Sequence, residues 1–277
     1  MAKIININRN ILYSYVQGRL SAQMGSKYQY FPISDWQKEL IIANKLGFKG
    51  IEWLISDLSN PLFNLEFIKL IKNKLKKNKL KISSISLDLI MDNPLHKMNK
   101  QDALWLINRI NNANKYLKIK RISIPIEERS RFNNAKEKKK AFSILQLFCK
   151  RICKNINLCI ETDISPDALK KLFNKSSFKR LGLLLDLGNT RAHGFRIEDY
   201  FINFSTKIYS IHIKYRDYNY GKSKVIPKKG FYELSYLIKN IDRLKNLNDI
   251  SFQTFKSKNY YLKNLKNCVI NFNKYAK

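Results

Sequence analysis

Three short, mainly apolar runs in the second half of the chain each end in a side chain that could bind a metal ion. These side chains are Glu161, Asp186 and His212. An apolar run closed by a polar residue is typical of a buried parallel strand. Repeated from strand to strand, this pattern places the polar side chains on one face of a barrel. Two carboxylates and an imidazole suit a divalent cation, so the sequence predicts a metal site.

Strand-like runs alternate with longer amphipathic stretches along the whole chain. The eight predicted strands are residues 12–16, 50–54, 82–87, 121–125, 158–160, 182–185, 208–213 and 250–254. Most are separated by the length of one β-loop-α unit. In a chain of 277 residues, this alternation predicts an α/β fold, a closed (β/α)8 TIM barrel that forms a single domain over residues 1–277.

The alternative arrangement is a doubly wound open sheet, which usually carries a Gly-rich phosphate loop after its first strand. Residues 16–19, after the first predicted strand, contain one glycine and no G-x-G-x-x-G motif. The barrel is therefore favoured. Helical spacing predicts helices over residues 35–46, 64–75 and 101–117, and Ser165 followed by proline predicts the start of another.

Basic side chains follow the strand that carries His212. Lys214 lies on the same side of a continuing strand as His212 and could stabilise an enolate or bind phosphate. Arg216 is a candidate clamp for an anion. The alternative for Lys214 is a solvated lysine, and a lone strand histidine is more often a buried core residue. Carboxylates arriving from the two preceding strands favour the metal site for His212.

The formal net charge is +32, which favours a nucleic-acid or membrane-surface partner. Lysine outnumbers arginine, however, and is spread over many segments, for example 72–81, 136–140 and 256–266. Proteins that read nucleic acids rely on arginine for bidentate contacts. Compositional drift therefore explains the charge better than a selected polyanion site, although either origin would attract a phosphorylated substrate.

Other features of the chain favour a cytoplasmic protein. No run of 18 apolar residues indicates a transmembrane helix, and residues 1–8 lack the features of a signal peptide. The four cysteines, Cys149, Cys153, Cys159 and Cys268, include no C-x-x-C pair. We therefore expect them to be buried apolar residues, neither disulfide-bonded nor zinc-binding.

Weak motifs, in order along nearly the whole chain, resemble the sugar phosphate isomerase/epimerase family of xylose isomerase-like TIM barrels. They are 17–21 (QGRLS), 50–52 (GIE), Asp88 with 91–95 (MDNPL), 124–125 (IP), 160–163 (IETD), 186–189 (DLGN), 212–214 (HIK) and 252–254 (FQT). The resemblance implies proton transfer next to the carbonyl of a small sugar or sugar phosphate, through a metal-stabilised ene-diolate.

The resemblance also implies site residues. A divalent cation (Mn, Mg, Co or Zn) would be held by Glu161, Asp186, His212 and Gln253. Glu161 would also be the general base, with Lys214 as a second catalytic residue. Candidates for binding the substrate are Gln17, Glu52, Glu128 and Arg216.

The chain departs from the family pattern at three positions of the motifs. Gln253 replaces a glutamate, Tyr215 replaces an aspartate and Asn189 replaces a histidine. An amide can bind a metal through its oxygen but cannot accept a proton at neutral pH. Epimerisation by two carboxylates is therefore in question, whereas metal binding is not.

These departures leave other functions open. Gln253 and Tyr215 fit a barrel that binds a sugar without catalysis, and a dehydratase or lyase acting on a polyol is a further alternative. A DNA-repair nuclease of the same superfamily needs many histidine ligands for three zinc ions, and the chain has three histidines in all. We therefore expect a small sugar as partner and neither nucleic acid nor membrane, and leave a homodimer open.

Overall fold

The chain folds into a closed barrel of eight parallel strands. The computed structural model describes residues 3–7, 10–23, 29–256 and 259–277. The barrel strands β1 to β8 are Leu12–Val16, Gly50–Leu54, Lys81–Ser86, Arg121–Ile126, Asn157–Thr162, Leu181–Asp186, Ile208–Ile213 and Asp249–Phe252. Each strand pairs with the next along the chain, and β8 closes the barrel by pairing with β1. The predicted (β/α)8 TIM barrel is confirmed.

Helices cover the outside of the barrel. In the described part of the chain, α1 to α10 are Trp36–Lys45, Leu65–Lys77, Leu89–Asp92, Lys100–Leu117, Ala135–Arg151, Pro166–Phe173, Leu187–Ala192, Ile197–Phe204, Tyr232–Asn240 and Tyr261–Tyr275. After β7, Tyr215–Arg216 pairs antiparallel with Ser223–Lys224. None of the described helices combines the length and the apolar character needed to cross a membrane.

Side-chain caps explain where several helices begin. Asn64, Asn99 and Asn134 each accept hydrogen bonds from backbone N–H groups in the first turn of α2, α4 and α5. Ser165 does the same for α6, at 3.4 Å, as the Ser-Pro pair predicts. Gly47 follows α1 with φ +87°, a conformation that favours glycine.

Two strands extend further than the sequence pattern predicts. The ladder between β4 and β5 continues to the pair Ile126 and Thr162, so Glu161 lies inside β5 instead of directly after it. β4 continues to Ile126, one residue beyond the predicted end at Pro125, and Glu127 is the first polar residue after it.

Charged side chains pack beside small ones inside the barrel. Arg121, at the start of β4, forms a buried ion pair with Asp249 at the start of β8, on the opposite side of the barrel. Ser210 donates a 2.6 Å hydrogen bond to the other oxygen of Asp249. Close packing requires a glycine at position 50, because a Cβ there would lie 2.2 Å from Ser14 Oγ. This part of the barrel interior is therefore held by paired polar groups.

The apolar core lies between the strands and the helices. Phe252 in β8 contacts the rings of Phe48 and Phe272, with centroids 5.4 and 5.2 Å apart. All three side chains are fully buried. Such edge-to-face contacts add to the free energy gained by burying aromatic surface. They fix α10 against the strand that precedes Gln253.

We expect the substitution Arg121→Met to lower the free energy of unfolding by about 3–5 kcal/mol, because it leaves the Asp249 carboxylate buried without its cation. The double substitution Arg121→Met/Asp249→Leu should cost much less than the sum of the single ones. The control is Asp92→Asn, in an exposed pair with Arg129, which should change stability by no more than about 1 kcal/mol. Urea unfolding followed by circular dichroism measures all three, and equal losses in both pairs would contradict the prediction.

Candidate metal centre

Three of the predicted metal ligands meet at the carboxyl end of the barrel. Glu161 lies in β5, Asp186 ends β6 and His212 lies in β7. One potential ligand atom from each residue lies within 4.8 Å of the others. His212 Nδ1 is 3.4 Å from Glu161 Oε1 and 3.9 Å from Asp186 Oδ2. Neighbouring parallel strands thus deliver these side chains to one point, as the sequence pattern predicts.

The atoms that could bind a metal at this point make no hydrogen bonds with the described residues. Among the residues that the structure describes, Glu161 Oε1, Asp186 Oδ2, His212 Nδ1 and Gln253 Oε1 are buried and lack a hydrogen-bond partner. Buried polar atoms are almost always paired, so three without a hydrogen bond in one cluster need an explanation, and Gln253, after the neighbouring strand, carries a fourth such atom. Three oxygens and one imidazole nitrogen suit a divalent cation. The residues present therefore fit the metal that the sequence predicts.

His212 is held in place from the far side of its ring. Its Nε2 lies 3.0 Å from Glu52 Oε1, and Ser84 Oγ donates a 2.6 Å hydrogen bond to Glu52 Oε2. Burial opposes ionisation of Glu52, but His212 and Ser84 outweigh it, so the pKa of Glu52 lies below its usual value. A carboxylate that orients a histidine in this way leaves the other ring nitrogen free to bind metal.

Asp186 uses its two oxygens differently. Oδ1 accepts a 2.7 Å hydrogen bond from the backbone N–H of Asn189 and caps α7. Oδ2 faces the ligand cluster, with Lys214 Nζ 2.9 Å away but outside hydrogen-bond geometry. Burial alone would lower the pKa of Lys214, yet Asp186 and Glu127 raise it above its usual value. Lys214 is therefore a cation at this site.

Glu127 is a buried carboxyl group that the sequence analysis did not select. It follows β4, the neighbour of the strand that carries Glu161. Its Oε2 accepts a 2.6 Å hydrogen bond from Asn189 Nδ2. Burial, and after it the negative charge of Glu161, raises the pKa of Glu127 well above its usual value. Glu127 is the first polar residue after the predicted strand 121–125 as well as after the observed one, so the strand-end rule that selected Asp186 also indicates it.

Glu128 and Arg216 lie at the rim of the barrel mouth. The Glu128 side chain is 54% exposed and lies 3.4 Å from Arg216 Nη1. Arg216 Nη1 also donates a 2.8 Å hydrogen bond to Asn189 Oδ1, and Arg216 Nε donates to the backbone oxygen of Gly221 at 2.9 Å. Arg216 thus holds the amide that binds Glu127. Glu128 remains a candidate for contact with a substrate at the rim.

The structure places Gln17 and Glu52 deeper than the mouth lining that the sequence suggests. Both are fully buried. Gln17 Oε1 accepts a 3.1 Å hydrogen bond from the backbone N–H of Leu54, which joins the ends of β1 and β2. Glu52 contacts His212 and Ser84. Glu52 is occupied by these protein groups, whereas Gln17 Nε2 has no hydrogen-bond partner among the described residues, and both remain candidates for contact with a substrate.

Gln253 directly follows β8, the neighbour of the strand that carries His212. Its backbone N–H donates a 3.2 Å hydrogen bond to the carbonyl of Ile213, and its Nε2 donates to Gln29 Oε1 at 3.3 Å. The amide oxygen is left unpaired. Gln29 also accepts from Arg19 at 2.6 Å and donates to Asp88 at 2.7 Å. Burial raises the pKa of Asp88 to about 7.

Within the described ranges, Glu161, Asp186 and His212 form one cluster of histidine, cysteine or acidic residues spaced to hold a metal ion. His193 lies after α7, stacked on Phe195 with centroids 5.6 Å apart. His96 lies 4.0 Å from Glu137. Neither contributes to the cluster, so the described residues do not assemble the histidine-rich, three-metal site of a repair nuclease.

No protein-family profile matches the chain, and no curated protein sequence matches it. Solved structures do match it over nearly its full length. A sugar phosphate isomerase/epimerase from Parabacteroides distasonis superposes with a TM-score of 0.68 at 14% identity, covering 95% of this chain and 96% of that one. The zinc-bound IolI protein gives 0.67 at 15% identity, covering 96% of each chain.

A xylose isomerase-like TIM barrel protein from Mycobacterium smegmatis, in complex with magnesium, gives a TM-score of 0.67 at 16% identity, covering 99% of this chain and all of that one. At such identities, structural likeness is evidence of a common fold and not of a common activity. The chain therefore has the fold of the xylose isomerase-like TIM barrels.

Proposed function

We propose that the chain is a divalent-metal-dependent isomerase or epimerase that moves a proton next to the carbonyl group of a small sugar or sugar phosphate. The observation that carries the proposal is the cluster of Glu161, Asp186 and His212, each with a buried ligand atom that makes no hydrogen bond to the described residues, together with the amide oxygen of Gln253 after the neighbouring strand. The donor set suits Mn, Mg, Co or Zn. Similar structures described as a sugar phosphate isomerase/epimerase, or as bound to zinc or magnesium, add support.

A bound cation would supply positive charge to offset the negative charge that develops on the substrate oxygens. Glu161 is the general base of the proposed reaction, because its carboxylate lies in the ligand cluster at the carboxyl end of the barrel. Lys214 is held close to Asp186. With a raised pKa, it acts as a hydrogen-bond donor to a substrate oxygen and not as a base.

Moving a proton from one face of a substrate carbon to the other needs a second proton donor, and Gln253 cannot supply one. We assign this role to Glu127. It is buried, its carboxylate is fixed by Asn189, and it lies on the strand next to that of Glu161. A raised pKa favours its protonated form, which is the form a general acid needs.

Titration of the metal-free protein with Mn²⁺ by calorimetry tests the metal site. Glu161→Ala and His212→Ala should each weaken Mn²⁺ binding at least ~100-fold. Each substitution removes a metal ligand, and that loss should exceed the loss from removing a residue that only hydrogen-bonds a ligand. Glu128→Ala is the matched control, a glutamate at the same mouth but exposed, and should bind Mn²⁺ like the wild type. Absence of Mn²⁺ binding at neutral pH would refute the proposed function.

The role of Glu52 is tested by Glu52→Gln, which keeps the size of the side chain. Replacing the carboxylate that orients His212 should weaken Mn²⁺ binding about 10–100-fold. The control is Glu39→Gln, another fully buried glutamate that contacts no metal ligand. Calorimetry measures both, with circular dichroism to verify folding. Equal affinity in folded Glu52→Gln and wild-type protein would show that His212 does not depend on Glu52.

Deuterium uptake tests the proton transfer. The Mn²⁺-loaded protein is incubated in D₂O with ketopentoses and ketohexoses, each free and as its terminal phosphate ester, and followed by NMR. We expect the wild type to exchange the hydrogen next to a carbonyl group. Glu127→Gln should lower the rate about 10²–10⁴-fold, the usual loss of a general acid or base, with unchanged Mn²⁺ affinity. Exchange at the wild-type rate would remove Glu127 from the mechanism.

The same measurement decides the second candidate function, a barrel that binds a sugar without catalysis. The neutral side chain of Gln253 favours that function, because it removes one carboxylate from the site. A metal-loaded protein that binds a ketose but exchanges no hydrogen would support it. Glu127 favours catalysis, because burying an additional carboxyl group beside Glu161 and Asp186 costs free energy that a binding site need not spend.

A further inference from the structure

Lys256 carries a buried ammonium group without a hydrogen bond. The residue is 2% exposed, and its Nζ has no hydrogen-bond partner among the described residues. The ammonium lies 4.5 Å from the centroid of the Tyr30 ring. Burying a charge is costly unless a counter-charge or hydrogen bonds accompany it. Each such unsatisfied group in a native structure needs an explanation.

The nearest carboxylate is already committed to other groups. Glu39 accepts hydrogen bonds from the backbone N–H groups of Gly18 at 3.0 Å and Leu20 at 2.9 Å, one to each oxygen. It attracts Lys256, but the described part of the chain contains no ion pair of Lys256 within 4.0 Å. Burial, followed by repulsion from Arg19, lowers the pKa of Lys256 to about 8. Among the described residues, Lys256 therefore has neither an ion pair nor a hydrogen bond.

Arg19 is a second cation on the same side of the barrel mouth. It is half-buried, and its Nη2 donates a 2.6 Å hydrogen bond to Gln29. Gln29 contacts the metal-ligand candidate Gln253, so Arg19 lies next to the metal centre. Burial lowers the pKa of Arg19, while Asp88 and then the acidic ligands act in the opposite direction. The guanidinium stays charged, as arginine does in proteins.

Gly18 allows these groups to approach each other. Its φ is +86°, and a Cβ there would lie 2.9 Å from the backbone oxygen of Tyr30 and 3.9 Å from Lys256 Nζ. Arg19 follows β1 and Lys256 follows β8, the two strands that close the barrel. Loops near the last strands of such barrels are where phosphate groups commonly bind.

We propose that Arg19 and Lys256 form an anion subsite that receives the phosphate group of a phosphorylated sugar whose carbonyl end lies at the metal centre. Arg19 contacts the anion at the mouth, and Lys256 lies behind it. The charge of two cations matches that of a phosphate dianion better than it matches that of a singly charged carboxylate. This inference rests on the proposed function, because it specifies the substrate class of the same site.

The test uses inorganic phosphate as the probe, with metal-free protein at constant ionic strength, and acetate as the second anion. We expect saturable phosphate binding to the wild type by calorimetry and no saturable acetate binding. Lys256→Met and Arg19→Met should each weaken phosphate binding at least tenfold. The matched control is Lys263→Met, an exposed lysine over the Tyr260 ring that changes the net charge equally and should bind phosphate like the wild type.

Stability distinguishes a ligand-binding lysine from a structural one. Without phosphate, Lys256→Met should have a higher melting temperature than the wild type, because it removes an unpaired buried charge. Adding phosphate should raise the melting temperature of the wild type and not that of the variant. A lower melting temperature of Lys256→Met, equal weakening by Lys263→Met, or no phosphate binding to the wild type would each overturn the proposal. Mn²⁺ titration of the same samples shows separately whether the metal site is intact.

Discussion

The contact between Glu52 and His212 is the interaction on which the metal centre depends. It runs from β2 to β7 through the barrel interior, and Ser84 on β3 completes it. Glu52 contacts Nε2 of the His212 ring, so Nδ1 is the ring nitrogen that faces the carboxylates of Glu161 and Asp186. The orientation of the imidazole is therefore set by a strand that supplies no metal ligand, and the carboxyl ends of β5 to β7 act as one site.

In the proposed function, Gln253, where the resemblance implies a carboxylate, separates metal binding from proton transfer. An amide oxygen can complete a donor set, but the proton must then move through other groups. Glu127 and Asn189 are joined by a 2.6 Å hydrogen bond. In the proposed reaction, a carboxyl group delivered by β4 would take the place of one delivered by β8. Such an exchange is feasible in this fold because every strand ends at the same mouth.

The sequence predicted the barrel and the strand-end ligands because both depend on local patterns. Apolar runs mark buried strands, and the residue at the end of each run reaches the common face. Contacts between distant strands leave no such pattern. The partnership of Glu52 with His212 joins residues 160 positions apart, and nothing near Glu52 in the sequence indicates it. Burial is also hidden from the local pattern: Glu127 is the first polar residue after β4 whether the strand ends at Pro125 or at Ile126, but the sequence does not show that its side chain is buried while that of Glu128 is exposed.

Most of the +32 net charge says little about the substrate, because exposed lysines are screened by salt within about 10 Å. Buried charges are screened much less, so their positions matter more than their number. The acidic groups Glu127, Glu161 and Asp186 come from β4 to β6, whereas Arg19 and Lys256 follow β1 and β8. Lys214 lies beside Asp186, and Glu39 and Asp88 lie near Lys256 and Arg19, so each group of buried charges also contains the opposite sign. In the proposed subsite, the anionic end of a substrate would be attracted by Arg19 and Lys256 while its carbonyl end lies at the metal centre.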